Sequence, residues 1–98
     1  MKFNKWSKKR ILEGKKHITS RTKRHDNDHE VSNIVGPLPL WFIVLYLYRD
    51  EGADSPHELK KVFNQIFRRK VEWDREFYVH VLNTTMIRDR FEKEREKI

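Results

Sequence analysis

Gly14-Lys15-Lys16-His17-Ile18-Thr19-Ser20-Arg21 decides how the fold of this 98-residue chain is read. Ahead of it, Ser7-Lys8-Lys9-Arg10-Ile11-Leu12-Glu13 reads as a short helix with Ser7 at its cap, ending on Gly14. Glycine enters the left-handed turn that stops a helix without a steric penalty. Beyond the turn, strand alternation puts His17, Thr19 and Arg21 on one face and Ile18 and Ser20 on the other. A lysine, a hydroxyl and an arginine thus reach one small region. Such side chains suit an anionic or polar ligand better than a core.

Working outward, Lys2 to Trp6 is expected as a first strand anchored by Phe3, and Val31 to Val35 as a second. Gly36-Pro37-Leu38-Pro39 is expected to break any regular element. Leu40 to Tyr48 has the β-branched and aromatic content of a buried strand, while Pro39 also suits a helix start. Either way it is core. Ser55-Pro56-His57-Glu58 carries the cap, first-turn proline and capping-box acid of a helix running to Phe67. Leu59, Val62, Phe63, Ile66 and Phe67 recur at helical spacing as an apolar stripe, read as core packing. Phe77 to Leu82 alternates as a strand covered on both faces. Met86 to Ile98 is a charged helical tail with a thin apolar line at Ile87, Phe91 and Ile98, expected to dock weakly. The chain reads as one α+β domain, with 1–85 as its core and 86–98 as the tail.

Charge is lopsided. Residues 1–25 hold ten lysines and arginines against Glu13 alone, a balance of +9, whereas residues 26–98 sum to −2. The net +7 therefore sits beside the glycine-stopped strand, and a one-sided basic field draws polyanions. There is no cysteine, hence no disulfide and no thiolate metal site, and the expected compartment is cytoplasmic. The longest apolar run, Leu40 to Tyr48, falls far short of the roughly 20 residues of a membrane span, and no signal peptide is read. His25 and His29, with Asp26, Asp28 and Glu30, are of ligand type but lie in a loop without helical spacing. No metal and no cofactor is assigned.

The chain resembles the ASCH family of the PUA-like superfamily, whose motif runs Gly-x-Lys-x-x-(Glu or Thr)-x-Arg. Gly14, Lys16, Thr19 and Arg21 fall on it. Three further blocks agree in order: Ser20-Arg21-Thr22-Lys23, then Tyr48-Arg49-Asp50-Glu51-Gly52 with Ser55-Pro56-His57-Glu58-Leu59, then Phe77-Tyr78-Val79-His80-Val81. The resemblance implies a small, pseudo-closed β-barrel with two or three flanking helices, here shortened between Glu30 and Glu51. It also favours the helical reading of Leu40 to Tyr48. His29 and Glu30 stand where the family usually carries Gly-Asp, and a missing strand would leave an edge for the tail or a second copy, so a homodimer stays open.

For the site, the resemblance implies a cleft carboxylate, Glu51, facing Lys16 and Thr19. That trio looks like the catalytic set of the small bacterial acetylcytidine amidohydrolases, with Lys16 as base, Thr19 as hydroxyl and Glu51 as proton carrier. A ribonuclease action is a variant of that class. The basic face points instead to RNA or a ribonucleotide, with Lys5, Lys8, Lys9, Lys15, Lys16, Arg21, Lys23 and Arg24 as its contacts. Binding is the expectation preferred over catalysis. The rings of Trp6, Trp41 and Trp73 suit stacking on bases, but tryptophans in small domains are mostly packing anchors and are read so here, Trp73 being the one expected to be exposed.

Overall fold

The computed structural model describes residues 1–96. It is an α+β arrangement of four helices and a three-stranded antiparallel sheet ordered β1-β3-β2: α1 Lys5–Leu12, β1 Ile18–Arg21, β2 Val31–Pro39, α2 Leu40–Tyr46, α3 Pro56–Phe67, β3 Glu76–Leu82 and α4 Thr84–Glu96. The sheet is open. β3 is its central strand, bonded on one side to β1 through Ile18–Val81 and Arg21–Tyr78 and on the other to β2 through Val31–Leu82 and Pro39–Glu76.

The expected strand over Lys2 to Trp6 is replaced by the start of α1. Asn4 caps that helix through Oδ1, which accepts from Ser7 N–H at 2.8 Å, so the cap lies three residues ahead of the expected Ser7. The Gly-Pro-Leu-Pro stretch does not break the second strand. β2 runs on to Pro39 with a bulge between Val35 and Leu38, because an edge strand can leave the missing proline N–H unpaired. Leu40–Tyr46 is helical. Its amino end lacks a side-chain cap, and Arg75 and Trp73 carbonyls take the Leu40 and Trp41 N–H groups at 2.8 and 3.0 Å. Ser55 caps α3 as read, accepting from Glu58 N–H, while Glu58 reaches back to Asp54 N–H rather than to Ser55.

The core has two parts. α2 and α3 pack Leu40, Ile43, Val44, Leu59 and Phe63 onto Ile18, Phe77 and Val79 of the sheet. A smaller cluster joins Ile11 of α1, Leu82, and Ile87 and Phe91 of α4. The carboxyl-terminal helix is therefore no loose tail: Ile87 is fully buried, Phe91 meets Phe3 edge to face, and Arg88 Nε donates to the Ile11 carbonyl at 3.2 Å. Ile98 lies outside the described residues. None of the described helices is long and apolar enough to cross a membrane.

Candidate functional site

Gly14, at φ 76°, ends α1 and turns the chain so that Lys15 and Lys16 N–H both reach the Arg10 carbonyl. Lys16 then forms a single antiparallel bridge with Glu51 in the turn after α2, and the Asp50 carbonyl accepts from His17 and Ile18 N–H at 2.7 and 3.1 Å. This seals the start of β1 against the 50–51 segment. The approach is so close that a Cβ on Gly52 would lie 2.9 Å from both Arg10 Cβ and Lys16 Cβ. Only glycine fits there, at a φ of +98° that favours it anyway.

Across this bridge, Lys16 Nζ donates to Glu51 Oε1 at 2.8 Å and to the Glu51 carbonyl at 3.1 Å, and Ser20 Oγ donates to Glu51 Oε2 at 2.5 Å. Lys16 and Glu51 are each only 2% exposed. Lys16 also sits 5.7 Å from the Trp6 ring, so the cation is held by two oxygens and an aromatic face. An ion pair this deep is tolerated because each member satisfies the other.

The group borders a cavity of about 370 Å³ at the free edge of β1. One wall is polar: Lys16, Thr19, Ser20, Arg21 and Glu51. The other is apolar: Leu59, Val62, Phe63, Ile66 and Phe67 of α3, with Trp6 beside them. Lys2, Lys23 and His25 stand at it as well, and all three are exposed. All four residues of the expected cleft, Lys16, Thr19, Arg21 and Glu51, thus line one cavity. Their roles in it differ from the expectation. Ser20, not Thr19, occupies the hydroxyl position on the carboxylate, because Lys16 and Ser20 share strand parity and Thr19 has the other. Thr19 is buried opposite His80 in the register and makes no side-chain hydrogen bond among the described residues. Arg21 does not pair with Glu51. Its Nη2 donates to the Lys2 carbonyl at 2.7 Å and its guanidinium lies 5.6 Å from the Phe3 ring; burial pulls its pKa down, against the pull of Glu51.

The other basic residues divide. Lys5, Lys9 and Lys23 are exposed and form no ion pair among the described residues. Lys8 pairs with Glu94 at 3.9 Å, Lys15 with Asp54 at 3.8 Å and Arg24 with Asp26 at 2.8 Å, all on the surface. Lys16, buried and neutralised, is not the free cation that a phosphate would require.

Three features escaped the sequence reading. Ser20 was legible from parity: 16, 18 and 20 share a face. The apolar stripe of α3 was read as core, yet Ile66 is 52% exposed and Val62 faces the cavity with it. His25 was weighed only as a ligand, whereas its N–H donates to His80 Nε2 at 3.0 Å, tying the 22–30 loop to the central strand. No cluster of three metal-type side chains occurs among the described residues.

Comparison with protein-family models, with curated proteins and with solved structures finds no match to this chain.

Proposed function

We propose that the protein binds RNA, taking one ribonucleotide into the cavity at the edge of β1 while the exposed cations of residues 1–25 hold the flanking phosphates. The observation that carries this is the two-walled cavity. Its inner polar group, Lys16–Glu51–Ser20, is internally neutral and offers lone pairs and a hydroxyl to a base edge, and its apolar α3 wall offers a surface to a base plane. Lys2 and Lys23 at the cavity, with Lys5 and Lys9 beyond it, supply the charge that a buried ion pair does not. The reading keeps the ASCH resemblance as its frame: the Lys16–Glu51 bridge brings the acidic-glycine turn alongside β1, which is the contact a shortened PUA-like barrel would need there.

The test is fluorescence anisotropy with a labelled single-stranded RNA across a salt series. Affinity should fall with salt at a slope of about −0.7 per phosphate neutralised. The variant Lys5→Gln/Lys9→Gln/Lys23→Gln should flatten that slope by about 2 and leave the fold intact. No binding at low salt, or a slope the variant does not change, ends the reading.

One observation favours a second, hydrolytic reading: hydroxyl, carboxylate and ammonium form a continuous hydrogen-bonded chain at the cavity. For an amide such as that of an acylated cytidine, a water held there would attack the acyl carbon and give a proton to Glu51, which would return it to the leaving amine. Lys16 would fix the carboxylate, and Thr19 would border the substrate. Release of cytidine from acetylcytidine, compared with Glu51→Gln, is the assay; equal rates exclude this substrate.

A further inference from the structure

The cavity does not end in neutral surface. Ile66 and Phe67, the last α3 residues to line it, run directly into Arg68-Arg69-Lys70, three exposed cations with no carboxylate within ion-pair distance among the described residues. Arg68 caps the helix at φ 55°, the left-handed conformation that glycine adopts freely and a residue with a Cβ does not. A cation at the helix end does serve the dipole, but dipole compensation has no need of an arginine at that one strained position. The turn is nonetheless firm. Arg69 N–H reaches the Asn64 carbonyl at 3.1 Å, and Asn64 Oδ1 accepts from Val71 N–H at 2.9 Å.

The turn delivers Trp73, which is 45% exposed and carries Lys60 Nζ 4.9 Å from its ring. Trp41, also 45% exposed, donates its N–H to the Trp73 carbonyl at 3.0 Å, so two half-exposed indoles sit on adjoining backbone. Glu72 and Asp74 flank Trp73 and form no ion pair among the described residues. Two carboxylates against three unpaired cations and Lys60 leave the patch basic. Unpaired guanidinium groups beside open indoles offer stacking for bases and neutralisation for phosphates, the two requirements of a single strand.

We infer that this patch is a second contact for nucleic acid: a single-stranded RNA leaving the cavity past Phe67 stacks bases on Trp73 and Trp41 and sets its phosphates against Arg68, Arg69 and Lys70. The inference rests on the RNA-binding reading and extends it from one nucleotide to a path of several.

The experiment compares a random-sequence ten-nucleotide RNA with a random dinucleotide, using the full chain and isothermal titration over a salt series. Arg68→Gly/Arg69→Gln/Lys70→Gln, in which glycine keeps the turn, should weaken the ten-nucleotide RNA at least tenfold and reduce its salt slope by about 2, with the dinucleotide altered less than twofold. Trp73→Leu should weaken the longer RNA severalfold with the slope unchanged. If the parent protein binds the longer RNA and both variants match it, the path is wrong and the cavity reading survives. Equal losses for the two ligands would also overturn the path, since they would place the patch inside the nucleotide site. If the parent binds neither ligand, the RNA reading itself falls and takes the path with it.

Discussion

Two buried glutamates of this small domain are held by different partners. Glu30, 4% exposed, receives Arg90 Nε at 2.7 Å and Arg90 Nη2 at 3.0 Å, while Arg90 Nη2 also reaches the Met1 carbonyl at 2.7 Å. This ties the start of β2, the amino-terminal segment and α4 over the cluster of Ile11, Leu82, Ile87 and Phe91. Glu51 is equally buried but is held by one lysine and one hydroxyl at the edge of an open cavity. The first carboxylate takes a planar fork that matches both its oxygens, with the Met1 ammonium 3.4 Å from Oε1, as a clamp requires. The second takes one lysine and one hydroxyl. Both acids border cavities, so burial and cavity together do not separate a structural acid from a candidate functional one; the partners that hold each acid do.

The strongest way to break the comparison is to remove one partner of each acid. Lys16→Met leaves Glu51 buried and uncompensated, with an expected loss of about 3–5 kcal/mol in chemical denaturation. Lys16→Met/Glu51→Leu should recover much of it. A single-variant loss under about 1 kcal/mol would mean that Glu51 is not closed off as described.

Arg90→Ala comes next, at about 2 kcal/mol, because the arginine side chain is one-third exposed and water can replace part of what is lost. Hydrogen bonding from Arg90 holds the Glu30 carboxyl below its ordinary value of 4.5. A depressed carboxyl stabilises the fold above its unfolded pKa and loses that contribution as pH falls through the folded one. Stability of the parent protein should therefore decline below about pH 4.5, and that part of the acid limb should shrink in Arg90→Ala, the Met1 ammonium holding the remainder. An unchanged limb would remove Glu30 as its source.

Ile66→Ser tests the cavity side without touching its charges. The side chain is already half exposed, so stability should change by less than about 0.5 kcal/mol, whereas RNA affinity should fall roughly fivefold, about 1 kcal/mol of lost apolar contact. If stability falls while affinity holds, the α3 wall belongs to the core.

The smallest effect concerns His80. Burial lowers its pKa from the ordinary 6.5, with the neighbouring His25 acting in the same direction. Neutral His80 accepts the His25 N–H at Nε2 and meets the Tyr78 carbonyl through Nδ1. A depressed histidine contributes fully above its unfolded pKa and loses that contribution as pH falls through its folded pKa. Below about pH 6.5 the 22–30 loop should loosen, seen as a lower hydrogen-exchange protection factor at the His25 amide once the intrinsic pH dependence of exchange is divided out. His80→Gln, which keeps an acceptor, should make that protection factor independent of pH over this range.

The α+β class, α3 with its Ser55 cap, β3 and the meeting of Lys16 with Glu51 at one cavity were all legible in the sequence. Each rests on local chemistry or a motif: a cap, a first-turn proline, an alternation, a glycine beside a charge. What was not legible depends on partners distant in the chain. Asn4 could be a cap only once Lys5 and Trp6 were known to be helical. Gly36 and Pro37 could lie within a strand only because β2 is an edge. Ile87 and Phe91 looked like a thin line on a charged helix until Ile11 and Leu82 came to meet them. Thr19 drew attention through its motif position, and the motif does not state which face each position occupies.

The central place of β3 bears on how the chain acquires its shape during synthesis. β1 and β2 are not hydrogen-bonded to each other; each finds its ladder partner only in β3, which follows both in the chain. Until residues 76–82 emerge, neither has a ladder partner, and the Ile18–Val81 pairing must then close a loop of most of the molecule. Helices α1 and α3 can nucleate early, but the sheet must assemble late and in one step, with β3 inserting between two waiting edges. Such non-local pairing is slow, and it leaves the strand edges unprotected in any shortened product lacking β3.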